Sequence, residues 1–304
     1  MEFALTLHDQ DLTLRPISGP DEVDLFNAEF SYVLDAEIKG DLTAGRRRPE
    51  WLWVALRGGR VTARAGWWSR PGDAEPQVMD VFDVRDPDDG VRLLRAALPA
   101  GATPPDYTRY LQPDWRDAAP AWLTALEKTG ARLFVERLRL EWRPGTPLRE
   151  PGDRLVFREP RDAGELIGLM TQVLDGTLDA HSRADLARTI ARQAAEEQYR
   201  DELERYASPH EWWRVATLPD GEPVGFVIPA HNGYHPIIAY IGVVPAHRGH
   251  GYVDDLLAAG TGVLAAQGVP RVRAATDVGN VPMAAAFARA GYVTFERQVD
   301  MTWK

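Results

Sequence analysis

An apolar run passes through a proline into two closely spaced glycines, and a helical pattern starts at once: Ile241-Gly242-Val243-Val244-Pro245-Ala246-His247-Arg248-Gly249-His250-Gly251-Tyr252. The run reads as a strand that must stop, because proline offers no N–H to continue a ladder. The glycines permit backbone conformations that side chains resist. Beyond them Val253, Leu256, Leu257, Gly260, Val263 and Leu264 recur at helical spacing and make one apolar face. A strand that turns through glycines into a helix leaves free N–H groups at the positive end of the helix dipole. That is a seat for a phosphate or diphosphate.

A second segment follows: Asp277-Val278-Gly279-Asn280-Val281-Pro282-Met283-Ala284-Ala285-Ala286-Phe287, then Gly291-Tyr292. Asn280 suits a helix N-cap and Pro282 a first turn. Gly291 suits a helix C-cap before a strand over 292–295.

The two segments together resemble the GNAT (GCN5-related N-acetyltransferase) superfamily over residues 150–304. Arg248, Gly251 and the preceding Val243-Val244-Pro245 match its acyl-CoA signature, while Val253 stands where the family has Gly or Ala. The resemblance implies transfer of an acyl group from acetyl-CoA, or another acyl-CoA, to a nucleophile that is usually a primary amine. It assigns the backbone of Ile241, Gly242 and Val243 to the pantetheine arm of the co-substrate. It assigns the amides of Gly249, His250, Gly251, Tyr252 and Val253 to its diphosphate. Arg248 becomes an anion contact, and Asn280 contacts the pantetheine or an active-site water. Asp254 and Asp255 would oppose a phosphate and are expected to point away. Phe287 falls on the cofactor-lining position where many members carry a tyrosine that protonates the leaving thiolate. Phenylalanine cannot do this, so another acid, with Tyr240 as a candidate, or water, or direct departure of the thiolate must serve. Strand 237–241 lacks the glutamate many relatives place there. The base candidates are therefore Asp277 and His235, with His231, Asp179 and His181 behind them. An amine needs only help in losing a proton, so a remote base suffices.

The chain of 304 residues is long enough for two cores. A net charge of −10 argues against broad nucleic-acid binding and is compatible with a cationic acceptor. There are no cysteines, hence no thiolate nucleophile or cysteine-based metal site. No window approaches a membrane span, and residues 1–10 carry no basic leader. These features lead us to expect a cytoplasmic protein that binds neither membrane nor nucleic acid, a monomer or homodimer, with no metal.

The halves echo each other. A strand at 12–17 followed by a helix from Asp21 returns as 155–160 and a helix from Asp162. A hairpin through Gly58-Gly59 returns as one through Asp220-Gly221. Leu133-Phe134-Val135 and the alternating 138–142 are matched by 292–295 and 299–303. Breakers at 143–147 and 151–153 form the linker. This reads as a tandem repeat of one mixed unit, a layout similar to that of tandem GNAT proteins such as mycothiol synthase. In the first half Arg85-Asp86-Pro87-Asp88-Asp89-Gly90 replaces the glycine loop, and aspartates repel a diphosphate.

The expected fold is therefore α/β: two tandem GNAT-like domains, each a mostly antiparallel mixed sheet flanked by helices. Residues 1–148 form a degenerate domain and 149–304 the acyl-CoA-binding one. The expected activity is N-acetyl transfer to a primary amine of a small molecule. A protein or peptide acceptor, and a catalytically silent acyl-CoA-binding protein, stand as alternatives. In residues 179–206 Leu186, Ile190 and Ala194 are expected on one helical face, with Glu196, Glu197, Glu202 and Glu204 making much of the rest acidic. Trp212 and Trp213 are expected to pack in the core.

Overall fold

The computed structural model describes residues 11–98, 104–117 and 120–304. Residues 1–10, read above as lacking a leader, lie outside them. Among the described residues no helix is long and apolar enough to cross a membrane.

The chain divides into two compact units. One runs to Val135 and includes Gln298–Lys304; the other is Glu136–Arg297. The sequence placed the boundary near 148. The difference arises because two strands, each expected as two pieces, are continuous and pass from one unit into the other. These are β6 (Arg132–Trp142) and β12 (Val293–Thr302).

The first unit orders its strands β1 (Leu12–Pro16), β2 (Leu52–Arg57), β3 (Arg60–Trp68), β4 (Val78–Val84) and β5 (Tyr107–Leu111), followed by the end of β12. The pairs β1·β2, β2·β3 and β3·β4 are antiparallel, and β4·β5 is parallel. Helices α1 (Val23–Asn27) and α2 (Ile38–Thr43) help close one core, around Phe26, Ile38, Leu52 and Val81. Helices α3 (Pro87–Ala97) and α4 (Ala121–Lys128) close the other, around Phe82, Leu93, Tyr107, Trp122, Val299 and Met301. Asp86 caps α3 by accepting the Asp88 amide at 2.8 Å. The acidic run thus starts a helix instead of leaving amides free.

The second unit begins with part of β6, then β7 (Val156–Arg158), α5 (Ala163–Val173), α6 (Ala180–Leu186) and α7 (Ala191–Asp201). It continues through β8 (Arg214–Thr217), β9 (Pro223–His231), β10 (Pro236–Val243), α8 (Tyr252–Ala265), β11 (Val272–Asp277) and α9 (Val281–Arg289). Its sheet runs β7-β8-β9-β10-β11-β6, antiparallel except at β10·β11. Cores lie on both faces. One gathers Leu256, Leu257, Leu264 and Phe287 from α8 and α9; the other gathers Leu166, Met170, Trp213 and Phe226 with α5 and α7. Trp213 is buried in that core, as expected. The helical face expected through Leu186, Ile190 and Ala194 does not form. The helix breaks after Leu186, and Ile190 caps α7 with 71% of its surface exposed.

The repeat is visible in detail. Arg15 holds Glu22 with two hydrogen bonds of 2.7 and 2.9 Å, and Arg158 holds Glu165 with two of 2.8 and 2.6 Å. In each unit that glutamate also accepts a backbone amide at 2.7 Å, from Ser18 and from Arg161. The same strand-to-helix corner has therefore been built twice.

Candidate active site

In the second unit β10 and β11 run parallel but are in register only at Ile237↔Arg273. Past that pair they diverge. A bulge between Ile238 and Tyr240 bends β10 on its β9 side, and β11 stays paired with β6 through Asp277↔Arg137. The divergence opens a wedge, and the β10 edge facing it carries Tyr240, Ile241, Gly242 and Val243. Gly242 is needed on the other face of β10: a Cβ there would lie 2.9 Å from a Val173 methyl, so α5 seats directly on the strand.

Val244 continues β10 by donating to Val224 at 2.9 Å. A single 3-10 turn at Pro245–His247 then reverses the chain. Gly249 and Gly251 both take positive φ, 82° and 74°, and Gly251 is the N-cap of α8. The amides of Gly249, His250, Gly251, Tyr252 and Val253 have no hydrogen-bond acceptor among the described residues, and the first amide to find one is Asp254, on Gly251 O at 3.1 Å. Five consecutive donors thus sit at a helix N-terminus without an acceptor among the described residues.

The two aspartates of the first turn face elsewhere. Asp254 is held by Arg289 at 2.8 Å. Asp255 is fully buried and accepts from Arg154 at 2.6 Å, Gly152 N at 3.0 Å and Arg149 at 3.2 Å. Arg154 also donates to His250 O at 3.0 Å and lies over the Tyr252 ring at 5.0 Å. It keeps a cation beside the open amides, and only its charge marked it in the sequence.

Arg248 is placed differently from the anion contact expected. Its guanidinium donates to three carbonyls, Val243 at 3.1 Å, Asp175 at 2.7 Å and Val173 at 2.8 Å.

Tyr240 packs edge-on against Phe226, ring centroids 5.0 Å apart. Its hydroxyl makes no hydrogen bond among the described residues, yet it is not a sealed, unsatisfied atom. Burial pushes this hydroxyl well above its ordinary range, and the Asp179 and Glu202 carboxylates add to the rise. It therefore keeps its proton at neutral pH.

Asp277 ends β11. Its carboxylate accepts the Ala180 amide at 2.6 Å and Arg137 Nε at 3.1 Å. Burial raises its affinity for a proton against the pull of both donors, and the charge of Asp179 adds to the rise. Burial also opposes ionisation of Asp179, but the Ser182 amide and Arg137 outweigh it and hold that carboxyl below its usual range. Tyr240, Asp179 and Asp277 thus form one electrostatic group at the wedge.

His235 is not part of that group. It precedes β10 in a tight turn where Asn232 accepts its amide at 2.8 Å, roughly 17 Å of strand from Tyr240. Burial and the guanidiniums of Arg273, Arg271 and Arg139 push its pKa down to about 4. Asn280 caps α9, accepting the Met283 amide at 3.3 Å. Phe287 is 2% exposed and stacks edge-on against Tyr292 at 5.0 Å, so it is a core residue.

Residues 180–292 match the sequence profile of the Acetyltransferase (GNAT) family. The second unit carries a GNAT domain. A search of curated protein sequences gives no significant match. Among solved structures, a GCN5-related N-acetyltransferase from Sphaerobacter thermophilus is similar with a TM-score of 0.60 and 17% identity, over 95% of this chain and 94% of its own. A tandem GNAT protein from the clavulanic acid biosynthesis pathway is similar with a TM-score of 0.52 and 18% identity, over 96% and 98%. A GNAT-family acetyltransferase from Colwellia psychrerythraea gives 0.50 and 12%, over 96% and 100%. At such identities the likeness is one of fold, and it extends over both units.

A similar wedge forms in the first unit, since β4 and β5 are in register only at Met79↔Tyr107. There the gap is filled. Arg109, two residues past Tyr107, is buried and donates to Phe82 O at 2.8 Å and to Asp83 at 2.7 Å across the divergence. At the same remove from Arg273, the GNAT domain of the second unit has Ala275.

Proposed function

We propose that the second unit transfers an acyl group, with acetyl-CoA as the donor, to the primary amine of a small molecule. The observation that carries this reading is the run of open amides from Gly249 to Val253, placed where the free edge of β10 ends. A diphosphate satisfies such donors, and the helix dipole with Arg154 beside it favours the charge. An extended amide-bearing arm can pair with the backbone of Ile241, Gly242 and Val243. That brings an acyl group beside Tyr240, whose protonated hydroxyl suits it to supply a proton to the departing thiolate. Asp277, directly or through water, is the group to take the amine proton, because burial raises its basicity. Asn280 holds the α9 terminus beside this route. The carboxylates of Asp179 and Glu202 near Tyr240 favour a cationic acceptor over an anionic one.

Thiol release measured with acetyl-CoA against a panel of small amines tests the proposal, alongside calorimetric titration with CoA. Amine-dependent release together with CoA binding supports it; absence of CoA binding removes it. One observation favours a second reading, a protein that binds acyl-CoA without turnover. Phe287, where many relatives carry an acid, lies in the core. CoA binding without thiol release across a broad panel decides for that reading.

A further inference from the structure

The segment joining α5 to α6 is tied at both ends. At its start Arg248 donates to Val173 O at 2.8 Å and Asp175 O at 2.7 Å. The same guanidinium reaches Val243 O, the last residue of β10, at 3.1 Å. At its far end the Ala180 amide donates to Asp277, the last residue of β11, at 2.6 Å. Strands β10 and β11 are the two arms of the wedge. Residues 174–179 therefore run from one arm to the other across its mouth. Gly176 adapts to this path, with φ of 63° and a Cβ position only 3.2 Å from Arg248 Nη1.

The carbonyls Arg248 takes are chemically demanding. The end of α5 leaves unpaired oxygens and the negative pole of its dipole, and a guanidinium suits both. Arg248 also immediately precedes the open amides of Gly249–Val253 in the chain. Its backbone belongs to the diphosphate loop and its side chain to the strap.

We propose that Arg248 is a positioning residue that couples occupancy of the diphosphate loop to the 174–179 strap, and that its guanidinium does not bind the diphosphate. This rests on the acyl-CoA reading above. A ligand that orders the loop fixes the guanidinium, and with it one anchor of the strap. By reciprocity, an ordered strap favours the ligand.

The test is hydrogen exchange of the 174–179 amides in the full chain, with and without CoA, beside calorimetric titration. In the unaltered chain CoA should slow strap exchange by about tenfold. Arg248→Met removes every donor at similar length. It should hold CoA within about threefold of the unaltered affinity, while strap exchange no longer responds to CoA. Arg248→Lys keeps the charge but cannot span three carbonyls, so it should behave as the Met variant does. Slow exchange of β9 amides in each variant reports an intact sheet. A loss of CoA affinity of about thirtyfold or more in Arg248→Met, restored by Arg248→Lys, would show a direct anion contact and overturn the proposal. So would a strap that still responds to CoA in the Met variant. If the unaltered chain does not bind CoA at all, the acyl-CoA reading itself fails, a result distinct from either.

Discussion

Replacing Gly251 by aspartate and by asparagine separates charge from everything else at the loop. No atom lies within 4 Å of a Cβ built at Gly251, so either side chain fits. The backbone cost of φ at 74° is common to both. It is about 1–2 kcal/mol for an ordinary residue and smaller for Asn and Asp, which populate that region most readily. The two variants therefore differ by one negative charge beside the open amides. A carboxylate about 5 Å from one diphosphate charge, at an effective dielectric of about 20, costs about 3 kcal/mol. That is roughly two orders of magnitude in affinity. CoA titrations should find Gly251→Asn within about tenfold of the unaltered chain and Gly251→Asp about a hundredfold weaker than Gly251→Asn. The gap should narrow as ionic strength rises above about 0.1 M, where the screening length is about 10 Å. If both variants melt at the same temperature and bind CoA equally, no diphosphate sits at this helix end and the reasoning is refuted.

Tyr240→Phe should lower turnover by about a hundredfold or more while leaving CoA affinity and melting temperature near their original values, because the hydroxyl has no hydrogen-bond partner among the described residues and the ring keeps its packing on Phe226; unchanged turnover removes Tyr240 as the acid. Gly242→Ala forces a methyl to 2.9 Å from Val173. It should cost about 1–3 kcal/mol, read by denaturant titration, and an unchanged midpoint would contradict the close seating of α5. The His235 pKa is about 4 in the fold and 6.5 when unperturbed, so between those values the unfolded chain binds the extra proton. Stability from this residue therefore falls as pH drops through that window. His235→Asn should flatten the melting-temperature profile there, and parallel profiles for the two proteins would refute the shift.

The glycine turn into α8 was legible in the sequence because its conformation is written in residue type: Gly249 and Gly251 stand where φ is positive. The helix start at Asp162 and the cap at Asn280 follow from the same local chemistry. What escaped was non-local. Arg248 looked like an anion contact by charge and position, but its carbonyl partners at Val173 and Asp175 lie far back in the chain. Arg154 reaches the loop from about a hundred residues away, and nothing near it announces this. The wedge itself has no residue signature. Strands β6 and β12 were read as fragments because Glu136-Arg137 and Glu296-Arg297-Gln298 interrupt their apolar pattern. In the fold these charges pair within the sheet, as Arg137 does with Asp277 and Arg139 with Glu296.

Strand β12 has a consequence for biosynthesis. Val299 and Met301 are buried in the core of the first unit, and Asp300 receives the Thr108 hydroxyl at 2.5 Å. These residues leave the ribosome after the whole of the second unit. The earlier half cannot complete its own interior while it is being made, so its nascent form waits until β12 has been synthesised.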